Sequence, residues 1–327
     1  MNTQISKIAV ITSGGDAPGM NAAIRSLVRS AEFNNIQCVG VQKGFQGLID
    51  SSFELLNMRS VSNILGIGGT FLHSARSTDF MQKKHRSFAY KNLQNENIDA
   101  LVVIGGNGSL TGASIFAQEF NFPVIGIPAS IDNDVYGTDY SIGYSTALET
   151  IVESVDKIRD TANSHNRLFF VEVMGRNSGN LALNSSLASG ACFVIIPEKE
   201  FQLVDLIKRL EENKKRNKKS SIVIVAEGNN YGPSFKIAAD LNKVYSAYET
   251  KVTILGHIQR GGKPCSHDRI LASQLGMAAI ESLKLAKYNT LVGLVDNTII
   301  NTPISDVINA TNKLSNNLYR LNKIISR

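Results

Sequence analysis

Cysteine is scarce in this chain: Cys38, Cys192 and Cys265 stand far apart among 327 residues and are odd in number. That excludes a disulfide framework and points to a reducing compartment, the cytoplasm. The five histidines show no paired spacing with one another or with the cysteines, so no preformed zinc-type centre is expected. No stretch approaches the roughly 20 uncharged apolar residues that a membrane helix needs. The first residues lack the charged segment and apolar run of a secretory signal. No membrane partner is therefore expected. Three catalytic signatures are missing too. GxxxxGK[ST] occurs nowhere, which excludes a Walker A loop, and GxSxG is absent, which removes the elbow that Asp160, His165 and nearby serines would need for a hydrolase triad. The run from Gly106 to Gly112 mimics a dinucleotide fingerprint but has no acidic residue near Ile127 to hold a ribose.

Charge is moderate, at 19% of residues with a net +6. The densest basic run, Lys214 to Lys219, reads as the solvated end of an amphipathic helix starting near Leu203. Aromatic residues are not interleaved with it, so nucleic acid is not an expected partner. Small phosphorylated ligands remain as the reason for a basic balance.

What is present is a soluble, globular composition with 43% hydrophobic residues, long enough for two domains. Short apolar runs alternate with helix-length segments. Ile8–Ile11, Ala100–Ile104, Pro123–Ile127, Leu168–Val171, Phe193–Ile196, Ile222–Val225 and Lys251–Leu255 read as parallel strands buried on both faces. Thr146–Thr161 and Leu271–Leu283 read as helices between them. The fold class is α/β and doubly wound, with mainly parallel sheets. No short repeat or low-complexity linker marks a domain boundary.

Ligands in such sheets sit on the loops after the strands. Two of these loops are glycine-rich and open towards helices: Gly14-Gly15-Asp16 and Gly105-Gly106-Asn107-Gly108-Ser109. Bare backbone N–H groups there suit phosphate oxygens, although a glycine-rich turn alone is equally often a plain tight turn. A third loop carries Asp132-Asn133-Asp134, with carboxylates able to take a hydroxyl proton or to position a cation; an Asx-rich helix cap is the other reading. Arg76, Arg176 and Arg260 follow strands or glycine turns, where guanidinium forks clamp phosphates. The residues by themselves reach a phosphate-handling α/β kinase with a metal-nucleotide donor, and no further.

Several blocks carry a resemblance. TSGGDAPGMNAAIR from Thr12, GGTFL from Gly68, SAR from Ser74, PASIDND from Pro128, GTDYSIGYSTALET from Gly137, VEVMGR from Val171, LGHIQRGG from Leu255 and DRILAS from Asp268 resemble the bacterial ATP-dependent 6-phosphofructokinases. The resemblance is collinear over about residues 8 to 295. It implies two similar lobes, about 1–142 plus 257–309 for the nucleotide and about 143–256 plus 310–327 for sugar phosphate and effectors. It also implies a homotetramer, fructose 6-phosphate as acceptor, ATP as donor and Mg²⁺ as cofactor, with a catalytically impaired regulatory subunit as the alternative.

Position by position, the resemblance implies Asp132 as general base, Arg76 and Arg176 as stabilisers of the transferring phosphoryl, and Ser130 beside them. Gly15, Arg76, Ser77, Gly106, Asn107, Gly108 and Ser109 match the nucleotide cradle, and Asn107 and Asp134 the metal-proximal positions. Ser130, Ile131, Asp132, Met174, Gly175, Arg176, Glu227, His257 and Arg260 match the sugar-phosphate pocket, to which Arg167 and Lys251 reach from a neighbouring subunit. Arg25, Arg29, Arg159, Arg216, Lys218 and Lys219 match an effector pocket. Glycine at 108 and alanine at 129 favour ATP over pyrophosphate, whose users carry aspartate and lysine there. The departures are Asn107 for aspartate, Ser130 for threonine, Lys251 for arginine, and Met58 and Cys192 for a basic and an acidic effector ligand. An asparagine near Mg²⁺ supplies only a dipole, so Asn107→Asp is expected to tighten the metal and raise turnover.

Overall fold

Strands that are apolar along their whole length need cover on both faces, and the chain supplies it by alternating them with helices. The computed structural model describes residues 5–165, 167–217, 221–310, 312 and 314–326. In chain order its first elements are β1 (Lys7–Ser13), α1 (Met20–Phe33), β2 (Gln37–Val41), α2 (Gly44–Ile49), β3 (Phe53–Leu56), α3 (Lys83–Asn95), β4 (Ala100–Gly105), α4 (Asn107–Phe120) and β5 (Val124–Pro128). There follow α5 (Tyr144–His165), β6 (Arg167–Val173), α6 (Asn180–Ser189), β7 (Phe193–Ile195), α7 (Leu203–Lys215), β8 (Ser221–Ala226), α8 (Ser234–Val244) and β9 (Glu249–Ile254). The last are α9 (Ser266–Lys284), β10 (Thr290–Val295), β11 (Thr298–Pro303), α10 (Ile304–Asn309) and α11 (Asn316–Ile325). Short 3₁₀ turns occupy Asp79–Met81 and Gly256–Arg260.

Two compact units result. The first comprises the described residues within Met1–Ser130, Asp134–Thr146 and Arg260–Asn312; the second comprises those within Ile131–Asn133, Ala147–Gln259 and Lys313–Arg327. The first holds a seven-stranded sheet of order β11-β10-β5-β4-β1-β2-β3. Its inner strands are parallel, and β3 and β11 close the two edges antiparallel. A core of buried side chains, including Leu101, Phe116 and Phe80, packs on one of its faces. The second unit holds an all-parallel four-stranded sheet, β7-β8-β6-β9, over a core that includes Phe170, Leu206, Leu210 and Val223.

All seven expected strands are present within a residue or two of their expected limits, and both expected helices are present and longer. The α/β class with mainly parallel sheets is as expected. β2, β3, β10 and β11 are additions. β3 and β11 are half-exposed antiparallel edges, so they lack the unbroken apolar run that marks a central strand. The basic run begins, as read, in the last turn of α7. Among the described residues no helix is long and apolar enough to cross a membrane.

Candidate active site

In the first unit, strand register does the assembling. Ser13 of β1 lies opposite Gly105 of β4, and Gly105 opposite Pro128 of β5. Both glycine turns and the start of the acidic loop therefore leave the same sheet edge side by side. The β4 turn runs straight into α4, so Asn107, Gly108 and buried Ser109 form the first turn of a 14-residue helix. No side chain caps that helix, and its N–H dipoles point at the loop edge. A Cβ built on Gly108 meets nothing within 4 Å, so the space in front of this turn is open. At the first turn the opposite holds. A Cβ on Gly15 would stand 2.5 Å from Nη1 of Arg260, whose guanidinium lies against the turn and donates to the Asp16 carbonyl at 3.1 Å.

Asn107 links the second turn to the acidic loop: its Nδ2 donates to the main-chain oxygen of Asp134 at 3.3 Å. Ser130 Oγ donates to Asp134 Oδ1 at 3.4 Å. The described residues contain no group of three or more His, Cys, Asp or Glu able to cage a metal. That suits Mg²⁺, which is commonly held by one or two carboxylates with substrate phosphates and water supplying the rest. Asp134 offers a carboxylate for this, and Asn107 is tied to its main chain.

Arg76 is exposed and makes no hydrogen bond or ion pair with a described residue, whereas Ser77 Oγ donates to Gln46 Oε1 at 2.8 Å and accepts from Phe80 N. The segment leading to Arg76 is anchored by two buried residues that sequence reading did not single out. Asn21 accepts from Phe71 N at 2.9 Å and donates to the Ile67 carbonyl, and Thr12 Oγ1 donates to the His73 carbonyl at 2.9 Å. Both lie inside the TSGGDAPGMN block, but nothing in the sequence connects them to residue 76.

In the second unit Asp132 is buried, and its backbone is fixed by Ser178 Oγ, which donates to the Asp132 carbonyl at 3.0 Å. Asn180 Nδ2 donates to the Asn133 carbonyl at 3.0 Å. Ile131 is fully buried. Met174, Gly175 and Arg176 form the turn after β6. Gly175 has φ 136, where only glycine is at ease, and a Cβ there would lie 2.4 Å from the Ser178 carbonyl oxygen. Arg176 itself sits at φ 54, a left-handed conformation costing about 1–2 kcal/mol. Its N–H donates to Glu227 Oε1 at 2.9 Å, which offsets part of that cost, and the exposed guanidinium has no partner among the described residues. Met174 N is held by Gln259 Oε1 at 3.1 Å, and Gln259 Nε2 returns to the Gly256 carbonyl. Gln259 is fully buried and was not anticipated as a support. His257 is exposed. Arg167 and Lys251, from neighbouring strands β6 and β9, both meet Glu249.

Of the positions expected to bind an effector, Arg25 and Arg29 lie one turn apart on α1, with both Nε atoms buried and without a hydrogen-bond partner among the described residues. Burial, and then the charge of Arg29, lowers the affinity of Arg25 for its proton. Arg159 donates to the Ser189 carbonyl, and Arg216 caps α7. Cys192 is buried and Met58 exposed. Lys218 and Lys219 lie outside the described residues.

Comparison with known proteins gives one consistent answer. The family model described as Phosphofructokinase matches residues 7–283. The chain is 49% identical, over 98% of both lengths, to ATP-dependent 6-phosphofructokinase 2 of Bacteroides thetaiotaomicron. It is 48% identical to the ATP-dependent 6-phosphofructokinase of Staphylococcus carnosus, covering 98% of this chain and 99% of that one. Its fold is similar to the phosphofructokinase structure from Saccharomyces cerevisiae, with TM-score 0.88 and 36% identity over 93% of this chain and 45% of that one.

Proposed function

This chain belongs to the phosphofructokinase family, and from that premise we propose how its own residues carry the reaction. Its activity is that of an ATP-dependent 6-phosphofructokinase, a glycolytic transferase that binds ATP. The acceptor is fructose 6-phosphate, phosphorylated at its 1-hydroxyl. Asp132 takes the hydroxyl proton as the oxygen attacks the γ-phosphorus and the bond to the bridging oxygen breaks, releasing ADP; its buried, backbone-anchored position suits a group that must not wander. Arg76 and Arg176 neutralise charge on the transferring phosphoryl, and neither guanidinium has a partner among the described residues. Ser130 orients the acceptor and holds Asp134.

The nucleotide phosphates lie along Gly15, Gly106, Asn107, Gly108 and Ser109, with Arg76 and Ser77 opposite, taking N–H donors and the positive end of α4. Asp134 and Asn107 would hold Mg²⁺, which would supply neutralisation of the nucleotide's phosphate charge. Ile131, Met174, Gly175, Glu227, His257 and Arg260 enclose the sugar phosphate, and in a homotetramer Arg167 and Lys251 of a neighbouring copy meet its 6-phosphate. Effector binding at Arg25 and Arg29, and at Arg159 and Arg216, is expected to be weak, because Met58 cannot bond phosphate and Cys192 is a poor Mg²⁺ ligand.

The observation that carries this reading is the register Ser13 to Gly105 to Pro128, which puts the two glycine-rich turns and the start of the acidic loop on one sheet edge. The donor tests it. Gly108→Asp introduces a side chain into open space, so the fold has no reason to change. A carboxylate about 4 Å from a phosphate is repelled by roughly 1–4 kcal/mol between water and a surface-like dielectric. The KM for ATP should rise tenfold or more. An unchanged KM would place the nucleotide elsewhere.

A further inference from the structure

Glu249 lies where no motif placed a functional residue, and it holds two others. Parallel strands β6 and β9 set Arg167 opposite Glu249 and Phe169 opposite Lys251. Residues two apart on a strand share a face, so Glu249 and Lys251 project from the same side. Arg167 Nε donates to Glu249 Oε2 at 2.8 Å, and Lys251 Nζ to Glu249 Oε1 at 2.6 Å. One carboxylate thus takes one oxygen to each cation. The hydrogen bond from Lys251, then that from Arg167, holds its carboxyl at about 2.

An exposed ion pair of this kind contributes little to stability, and Glu249 is half exposed. Stability therefore does not account for a carboxylate placed to bridge two cations. What the bridge does leave is informative. Arginine has five N–H donors and Glu249 uses only Nε, so both terminal nitrogens remain for an anion. Lysine has three and spends one. Without the bridge the two long side chains would repel each other and sample many rotamers, and a phosphate would have to order both. With it, they are gathered before the phosphate arrives.

We propose that Glu249 is a positioning residue for the phosphate-binding pair, bridging Arg167 and Lys251 so that their remaining donors meet the sugar 6-phosphate together. The proposal rests on the reading that this pair contacts that phosphate. It also gives a reason why lysine serves at 251. A lysine is a point charge on a flexible stem, and Glu249 supplies the fixed direction that an arginine fork would carry in itself. Two cations against one carboxylate leave the trio with a net positive charge, so it still attracts the phosphate.

The test uses the full chain, with sedimentation to show that each variant assembles like the parent. Glu249→Ala should raise the half-saturating fructose 6-phosphate concentration roughly tenfold, the scale of ordering one or two long side chains. Glu249→Gln, nearly isosteric and able to hold one cation by its single oxygen, should give a smaller rise. In both, the KM for ATP should stay put, and in an Arg167→Ala background the effect of Glu249→Ala should shrink. If both variants lower the half-saturating concentration or leave it unchanged, Glu249 is a screening charge or an onlooker and the inference is wrong. If Arg167→Ala and Lys251→Ala do not raise it either, the reading of the 6-phosphate site fails, and the inference with it.

Discussion

Asn107 shows how a single atom changes an expectation. Read as a departure from aspartate, it looks like a weakened metal contact, and Asn107→Asp should then help. The structure gives the amide a second task, because Nδ2 donates to the Asp134 carbonyl and ties the α4 turn to the acidic loop. A carboxylate cannot donate, and would set its negative oxygen against that carbonyl. On stability the exchange is near neutral: the lost hydrogen bond costs about 1 kcal/mol, and a carboxylate at a helix N-terminus regains roughly 0.3–1 kcal/mol. The melting temperature should thus barely move. Turnover should fall at every Mg²⁺ concentration, because Asp134 is no longer held in register with the glycine turn. A rise in turnover together with a lower Mg²⁺ requirement would restore the simpler view. Residue types in motifs were legible from sequence because glycine, aspartate and arginine have few substitutes in phosphate chemistry. Supports such as Asn21 and Gln259 were not, since a buried amide acquires its role only from the backbone groups that the fold brings to it.

At the scale of elements, unbroken apolar runs were readable, even at the edges β7 and β9, whereas the antiparallel edges β3 and β11 and the glycine-interrupted inner strands β2 and β10 were not. β4 and β8 are buried at every position and betray themselves by composition, whereas β3 and β11 must be recognised by pairing. One inter-element device went unnoticed for the same reason. Arg86 of α3 makes a two-pronged pair with Glu119 of α4, Nε to Oε2 and Nη2 to Oε1 both at 2.7 Å. Its Nη1 donates to the carbonyls of Phe80 and Met81, in and around the 3₁₀ turn just beyond Arg76. Arg86 is only 7% exposed, so removing it strands a carboxylate and two carbonyls. Arg86→Ala should cost about 3 kcal/mol, the low end for breaking a buried pair because Glu119 keeps some solvent contact. The hydrogen bond from Arg86 holds the Glu119 carboxyl below the usual range. With the folded value depressed, the stabilisation is complete above the unfolded value of about 4.3 and is lost as pH falls through the folded one. Thermal melts of wild type and Glu119→Gln should accordingly differ at pH 7 and converge towards pH 3. A difference that grows on acidification would contradict the sign.

For the whole molecule, the alternation of helix and strand announced an α/β chain, and the resemblance implied its two lobes. Neither announced how unequal they are, seven strands against four. Nor did composition mark the units, since the chain leaves the first at Ile131, returns at Asp134 and leaves again at Ala147 with no linker between. A consequence is that the acidic loop is divided: Asp132 belongs with the turn that carries Arg176, and Asp134 with the turn that carries Asn107. Proton removal is proposed for the first and metal placement for the second. The measurement that separates them is steady-state turnover of Asp132→Asn together with its equilibrium affinity for ATP with Mg²⁺. A fall in kcat of about 10²–10⁴-fold is expected, the range for losing a general base, with nucleotide affinity unchanged. Near-normal turnover, or a loss explained by weaker nucleotide binding, would contradict it.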